Sequence, residues 1–270
     1  MRLLAIVAVA VFAAPTAASA TNRAVTISGS RFQPTVLLAL VGDTVTWTNR
    51  DPMLHNATVP GSWTTGDLAS GQTSSPIPLR AEGTINYLCT RHPTFMRATI
   101  RVAQLHLLAP ARPVRYGRSV RLTGLAPAGS AVAIQRVSDG RTVATTTAGS
   151  TGAYAVAFFA SPGQYRAVSG THASAAVRVA VRPRVLIRAR RTARGVAVTV
   201  STRPAQIGAR VALERARRGR WVRVARKRLD SRSRASFRLR LRGTARIRAR
   251  LVRPVGGYAV AKSATITVRR

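Results

Sequence analysis

The sequence predicts an all-β protein, a string of small β-sandwiches without helices, and three observations carry that expectation. Apolar residues recur with period two, as in Thr44-Val45-Thr46-Trp47-Thr48-Asn49, where Val45 and Trp47 fall on one face. Gly, Pro and Asp interrupt these runs at short intervals, the punctuation expected between strands. From residue 105 onward the chain repeats itself with a period of about 80 residues, too long for a single supersecondary unit and right for a small domain.

Residues 1–20 stand apart. Arg2 is followed by an apolar run over residues 3–14 and by Ala18-Ser19-Ala20, a small-residue cleavage site, which together read as a secretory signal peptide. The run is too short to span a bilayer comfortably, and no later stretch reads as transmembrane. The mature chain is therefore expected to be exported: extracellular, periplasmic or associated with the cell envelope.

Residues 21–104 read as the first sandwich. Val25 and Ile27 alternate with polar neighbours, Phe32-Gln33-Pro34 leads into an apolar run over 36–41, and Gly42-Asp43 marks a turn. Residues 60–78, rich in Gly, Ser and Thr, read as an irregular loop. Ile85, Tyr87 and Cys89 then share one strand face. After a short loop, Ala98, Ile100 and Val102 point inward while Arg97, Thr99 and Arg101 point out.

The two repeats follow at 105–183 and 184–270. Ile134-Gln135-Arg136 corresponds to Leu213-Glu214-Arg215, and Gly140-Arg141 to Gly219-Arg220. Residues 153–158 align with 235–240, 163–166 with 243–246, and each copy ends in an alternating strand, 176–181 and 264–268. Short strands with turn signals at this spacing suggest two Ig-like β-sandwiches, with Pro183 near the seam and Val185-Leu186-Ile187 opening the second.

Charge is unevenly spread over these segments. Seven Arg face four acids in 21–104, nine face one in 105–183, and 27 Arg or Lys face two in 184–270. Arg238, Arg240 and Arg242 alternate with Phe237, Leu239 and Leu241, and Arg246, Arg248 and Arg250 continue the pattern, so these arginines are expected to line one outer sheet face. Such a face would attract polyanions: wall polymers, acidic polysaccharide or anionic lipid head groups. The same bias also fits a solubilising face in an arginine-rich chain. Export makes nucleic acid an unexpected physiological partner. Acids are too few and scattered to pair for catalysis, and no phosphate-binding Gly-rich loop or nucleophile elbow is present, so no enzyme is expected.

The chemistry concentrates near residue 90. Tyr87-Leu88-Cys89-Thr90-Arg91-His92-Pro93-Thr94-Phe95-Met96 holds the only cysteine of the chain, which cannot form an internal disulfide and, in an exported protein, calls for an explanation. A thiolate, an imidazole and a thioether on one loop form a soft donor set suited to copper. His55 follows the strand at 44–49 by six residues and is the candidate for a second imidazole. A lone His55 would be an ordinary loop residue and a lone Met96 a core residue; it is the four donors in order that point to a metal. Asn56 is placed to tie the two ligand loops together.

Gly42-Asp43-Thr44-Val45-Thr46-Trp47-Thr48-Asn49, Asp51 and His55-Asn56, followed by Tyr87, Cys89, His92-Pro93 and Met96, resemble the cupredoxins, the plastocyanin and amicyanin group of blue copper proteins. The resemblance spans residues 24–103 and implies a Greek-key β-sandwich binding one copper ion through His55, Cys89, His92 and Met96. Three residues separate His92 from Met96, between the two of amicyanin and the four of plastocyanin, which bears on the axial distance. The implied function is single-electron transfer between Cu(I) and Cu(II) with an unidentified redox protein docking at Pro93 and Phe95. Two rivals stand beside it: copper storage, delivery or resistance with the same ligands, and a structural adhesin with the site unused.

Overall fold

A computed structural model describes residues 20–241 and 243–269. The expected signal peptide, except Ala20, lies outside the described residues, as does Arg242. Every regular element among the described residues is a strand, and no helix there is long and apolar enough to cross a membrane. The chain divides into two compact units, one ending at Ile100 and one beginning at Arg101.

The first unit holds β1 (Asn22–Ile27), β2 (Phe32–Gln33), β3 (Val36–Leu40), β4 (Thr44–Asn49), β5 (Thr58–Val59), β6 (Trp63–Thr64), β7 (Ile77–Pro78), β8 (Gly83–Leu88) and most of β9 (Arg97–Ala103), which runs on past Ile100. They form two sheets, β2-β1-β4-β7 and β3-β9-β8-β5-β6. β1 and β4 run parallel, Val25 opposite Trp47, so their inward residues lie side by side. Rings join the sheets: Tyr87 of β8 lies 5.5 Å edge-on from Trp47 of β4 and 4.7 Å from Phe32 of β2. Trp63 packs 5.3 Å from Trp47 in the same cluster. Asp43 locks the turn before β4: its buried carboxylate accepts from Thr21 N, Leu40 N and Arg23 Nε at 2.7–3.0 Å. Residues 60–78 are not wholly irregular. They hold β6 and β7, and single bridges join Thr48 to Thr73 and His55 to Leu68.

The second unit holds two sandwiches with the same strand plan. The first has β10 (His106–Leu108), β11 (Val114–Arg115), β12 (Val120–Leu125), β13 (Ala131–Arg136), β14 (Thr142–Thr147), β15 (Ala153–Phe158), β16 (Gly163–Ser169), β17 (His172–Ala173), β18 (Val177–Val179) and β19 (Val181–Arg182). The second has β20 (Arg184–Thr192), β21 (Gly195–Arg203), β22 (Arg210–Arg217), β23 (Arg220–Arg228), β24 (Arg234–Leu239), β25 (Thr244–Arg253), β26 (Ala261–Lys262) and β27 (Ile266–Arg269). A three-stranded sheet, β10-β12-β15 or β20-β21-β24, accompanies a five-stranded one built around β13-β16 or β22-β25. Even the bulge recurs, between Ile134 and Gln135 and between Leu213 and Glu214. Each sandwich has its own apolar core, around Leu122, Ile134 and Tyr165 in the first and Val198, Leu213 and Ile247 in the second.

The pairing shifts the repeat alignment by one residue at β15 and β24. Val156 opposite Leu122 matches Phe237 opposite Val198, whereas the sequence alignment set Val156 against Arg238. Because side chains alternate, that slip would have exchanged the inner and outer faces.

The arginine row also divides. Arg238 lies on β24 and Arg240 just after it, beside the three-stranded sheet, whereas Arg246, Arg248 and Arg250 lie on β25 in the five-stranded one. Gly243, with φ of 85°, turns the chain from one sheet to the other in a conformation that side-chain-bearing residues avoid. The expected single cationic face is therefore two. On β25, Arg248 is half-buried, bonded to Glu214 at 2.7 Å and stacked 4.0 Å above Trp221, so its charge is largely met within the sheet.

Candidate metal centre

His55, Cys89 and His92 converge although 34 residues separate the first two. His55 is held by a two-bond bridge to Leu68, its N–H reaching Leu68 O at 3.3 Å and its carbonyl accepting from Leu68 N at 2.7 Å. Cys89 directly follows β8, where Tyr87 faces the core. Alternation therefore sends the thiol inward as well, and it is fully buried. The loop after it closes on itself: His92 N donates to Cys89 O at 3.1 Å, Met96 N to His92 O at 3.0 Å, and Cys89 N to Met96 O at 3.0 Å.

The donor atoms fit one ion. Cys89 Sγ lies 3.8 Å from His55 Nδ1 and 3.8 Å from His92 Nδ1, and all three donors lie within 4.8 Å of one another. With metal–sulfur and metal–imidazole bonds of about 2.3 and 2.0 Å at 120°, sulfur and nitrogen stand about 3.7 Å apart. Met96, 1 % exposed, ends the loop, its backbone bonded to His92 and Cys89. The imidazole rings are 4.9 Å apart, His55 wholly buried and His92 half-buried at the edge.

The surrounding residues set orientation. The Cys89 sulfur accepts from Asn56 N at 3.5 Å. The Asn56 side chain spans three segments. Its amide donates to Asp67 Oδ1 at 3.0 Å and Thr90 Oγ1 at 2.8 Å, and its oxygen accepts from Thr90 N at 2.9 Å and Thr58 Oγ1 at 3.1 Å. Asp67 in turn grips the Arg91 guanidinium through both oxygens. The Arg91 guanidinium, and after it the Asn56 amide, hold the Asp67 carboxyl down to about 2.

Asp51 approaches from the other side. Its Oδ2 lies 3.2 Å from His55 Nε2, but off the line of a hydrogen bond, so the contact is electrostatic. Burial pushes the Asp51 carboxyl up, yet the Ser30 and Gly29 N–H groups and His55 outweigh it and leave the pKa below the ordinary value. Burial, and then the neighbouring His92, lower that of His55 against the opposing pull of Asp51, which favours the neutral ring that can ligate. Asp51 stood in the motif without a role, and nothing in the spacing of Asp67 and Arg91 marked them.

Pro93 and Phe95 are exposed, Phe95 at 63 %, with its ring 5.5 Å from that of His92. Arg97 Nε bonds to Pro93 O at 2.7 Å and steadies the loop. Arg238, Arg240, Arg246, Arg248 and Arg250 belong to the other unit.

No protein-family profile matches the chain, and no curated protein matches it. Solved structures do. An oxidised amicyanin variant is 31 % identical over 33 % of this chain and 86 % of its own, with a TM-score of 0.28. A reduced Cu(I) amicyanin variant is 34 % identical over the same shares, also at 0.28. Another oxidised amicyanin variant is 32 % identical over 33 % of this chain and 88 % of its own, again at 0.28. With its two facing sheets and a His-Cys-His cluster at the end of β8, the N-terminal third of this chain is cupredoxin-like.

Proposed function

We propose that the protein is an exported blue copper electron carrier, in which His55, Cys89 and His92 would hold the copper ion and Met96 would be a weaker fourth donor. The observation that carries this reading is the equal 3.8 Å separation of the Cys89 sulfur from two imidazole Nδ1 atoms in a buried site. Copper, when bound, supplies one-electron exchange between Cu(I) and Cu(II). The chain's own residues do the rest. Burial excludes water from Cys89 and His55, and the Asn56 bridge together with the closed 89–96 loop holds the donors in one arrangement. A donor set that need not move when the charge changes keeps the reorganisation for transfer small. Since protein donors fill the site, no position remains for substrate, and the protein is read as a carrier, not an enzyme.

Exposed Pro93 and Phe95 beside half-buried His92 favour a carrier over a storage protein, because they offer a redox protein an apolar docking patch against the ligand nearest solvent. The strongly basic sandwiches serve as spacer or attachment to anionic polymers or lipid head groups of the envelope, and the leader at 1–20 directs export. The test is to add Cu(II) to purified protein and record the visible spectrum beside Cys89→Ser. An intense thiolate-to-copper band absent from the variant is expected; identical spectra refute the site.

A further inference from the structure

Within the second unit, a concave site of about 410 Å³ lies where β11, β19 and β20 meet β26. Pro183, Val185 and Ala261 form a buried apolar floor, and Arg115, Arg182, Arg184 and Lys262 stand exposed around it. The unit has three acids, all engaged elsewhere: Asp139 with Arg136 at 3.4 Å, Glu214 with Arg248 and Arg250, and Asp230 with the N–H groups of Arg232 and Arg234. Among the described residues, no carboxylate pairs with any of the four cations.

The strands also hold like charges in register. Arg115 stands opposite Arg182 and Arg184 opposite Arg203, while Lys262 stands opposite Arg250, which Glu214 offsets in part at 3.8 Å. Like charges directly opposite one another destabilise a sheet unless an anion offsets them. The walls are set before any ligand arrives. Pro183 alone separates β19 from β20, Ala259 N donates to Val181 O at 2.8 Å, and Tyr258 packs on the first core with its ring 6.3 Å from Tyr116. A site formed in advance loses little ordering entropy on binding.

We infer that this cleft binds an anionic glycan, seating one acidic sugar with its ring on the Pro183 floor and its carboxylate in the arginine forks. Planar guanidinium groups match a carboxylate with two parallel hydrogen bonds. The recessed apolar floor suits the C–H face of a pyranose; a lipid surface would engage a flat cationic face instead. The inference rests on the reading that the basic sandwiches attach the protein to an anionic envelope polymer, and narrows it to one place and one chemistry.

The test uses the full chain and a short oligogalacturonate, titrated at an ionic strength of about 0.3 M, where charges beyond contact range are screened. Arg115→Gln/Arg182→Gln/Arg184→Gln/Lys262→Gln is compared with a charge-matched variant outside the cleft, Arg226→Gln/Arg238→Gln/Arg240→Gln/Arg246→Gln. Expected is a loss of about tenfold or more in affinity for the cleft variant and about twofold or less for the control. Equal losses, or a larger loss in the control, overturn the cleft while leaving polymer attachment standing. Failure of the parent protein to bind at any ionic strength overturns both. Because the four side chains are exposed and mutually repulsive, the cleft variant melts no lower than the parent without ligand; a lower melting temperature overturns the electrostatic premise.

Discussion

Replacing Asn56 with alanine removes the amide that joins the His55 segment, the turn after Cys89 and the Asp67 loop. Four hydrogen bonds disappear: one to Thr90 Oγ1, one from Thr90 N, one to Asp67 and one from Thr58. Each is worth about 0.5–1.5 kcal/mol net. Asp67 and Thr58 can rehydrate, so their share is at the low end, whereas the Thr90 N–H loses a partner that water replaces poorly. The expected cost is about 2–3 kcal/mol. Urea unfolding of the copper-free protein measures it, with Trp47 and Trp63 reporting on the first unit and Trp221 on the second. For a small domain losing about 1 kcal/mol per molar urea, the first transition moves down by about 2 M or more. Thr90→Val, which removes one of the four bonds, costs about 1 kcal/mol, and the two substitutions are less than additive because they share that bond. A change under about 0.5 kcal/mol for Asn56→Ala refutes the role assigned to this bridge. So does a loss that falls equally on the Trp221 transition.

Asp67 gives a pH test. Its folded pKa of about 2 lies below the ordinary 3.8, so the stability it contributes is complete above about pH 4 and lost as pH falls from 4 to 2. Asp67→Asn flattens that part of the stability profile of the first unit; an unchanged slope refutes the Arg91–Asp67 link. In the second unit, a Cβ on Gly124 would stand 2.0 Å from the His106 carbonyl and 2.4 Å from the Tyr154 hydroxyl, which donates to that carbonyl at 2.6 Å. Gly124→Ala therefore pries β10 from β12 and lowers the second unit by about 2–3 kcal/mol in urea. An unshifted midpoint refutes that packing.

The strands of the first unit were legible because period-two burial is a property of one extended segment. Val25, Ile27, Val45, Trp47 and Ile100 are wholly buried and Val102 nearly so, as their alternation requires. The 89–96 loop was legible for the same local reason: it is closed by backbone hydrogen bonds across three, four and seven residues, so Cys89 and His92 lie near one another in sequence and in space. Register between repeats was not. Aligning Ala153 with Ala235 sets the alanine face of one strand on the apolar face of the other, and the partner strands show that Val156 and Phe237 are equivalent.

What lay beyond the sequence shares one cause: it depends on which strands pair. The sequence named His55 as the partner of Cys89, but not the Leu68 bridge that holds its loop. Asp67 and Arg91 meet across 24 positions, and Asp51, four residues before His55, is fixed by the distant Gly29 and Ser30 N–H groups, so their identities carry no period that could reveal them. Arg115, Arg182 and Lys262 come together only because β11 lies beside β19 and β26 beside β25. Backbone geometry makes a strand declare its inner face residue by residue. Long-range pairing leaves no such trace, so the donor types could be read along the chain while their meeting point, and the cationic cleft, belong to the fold.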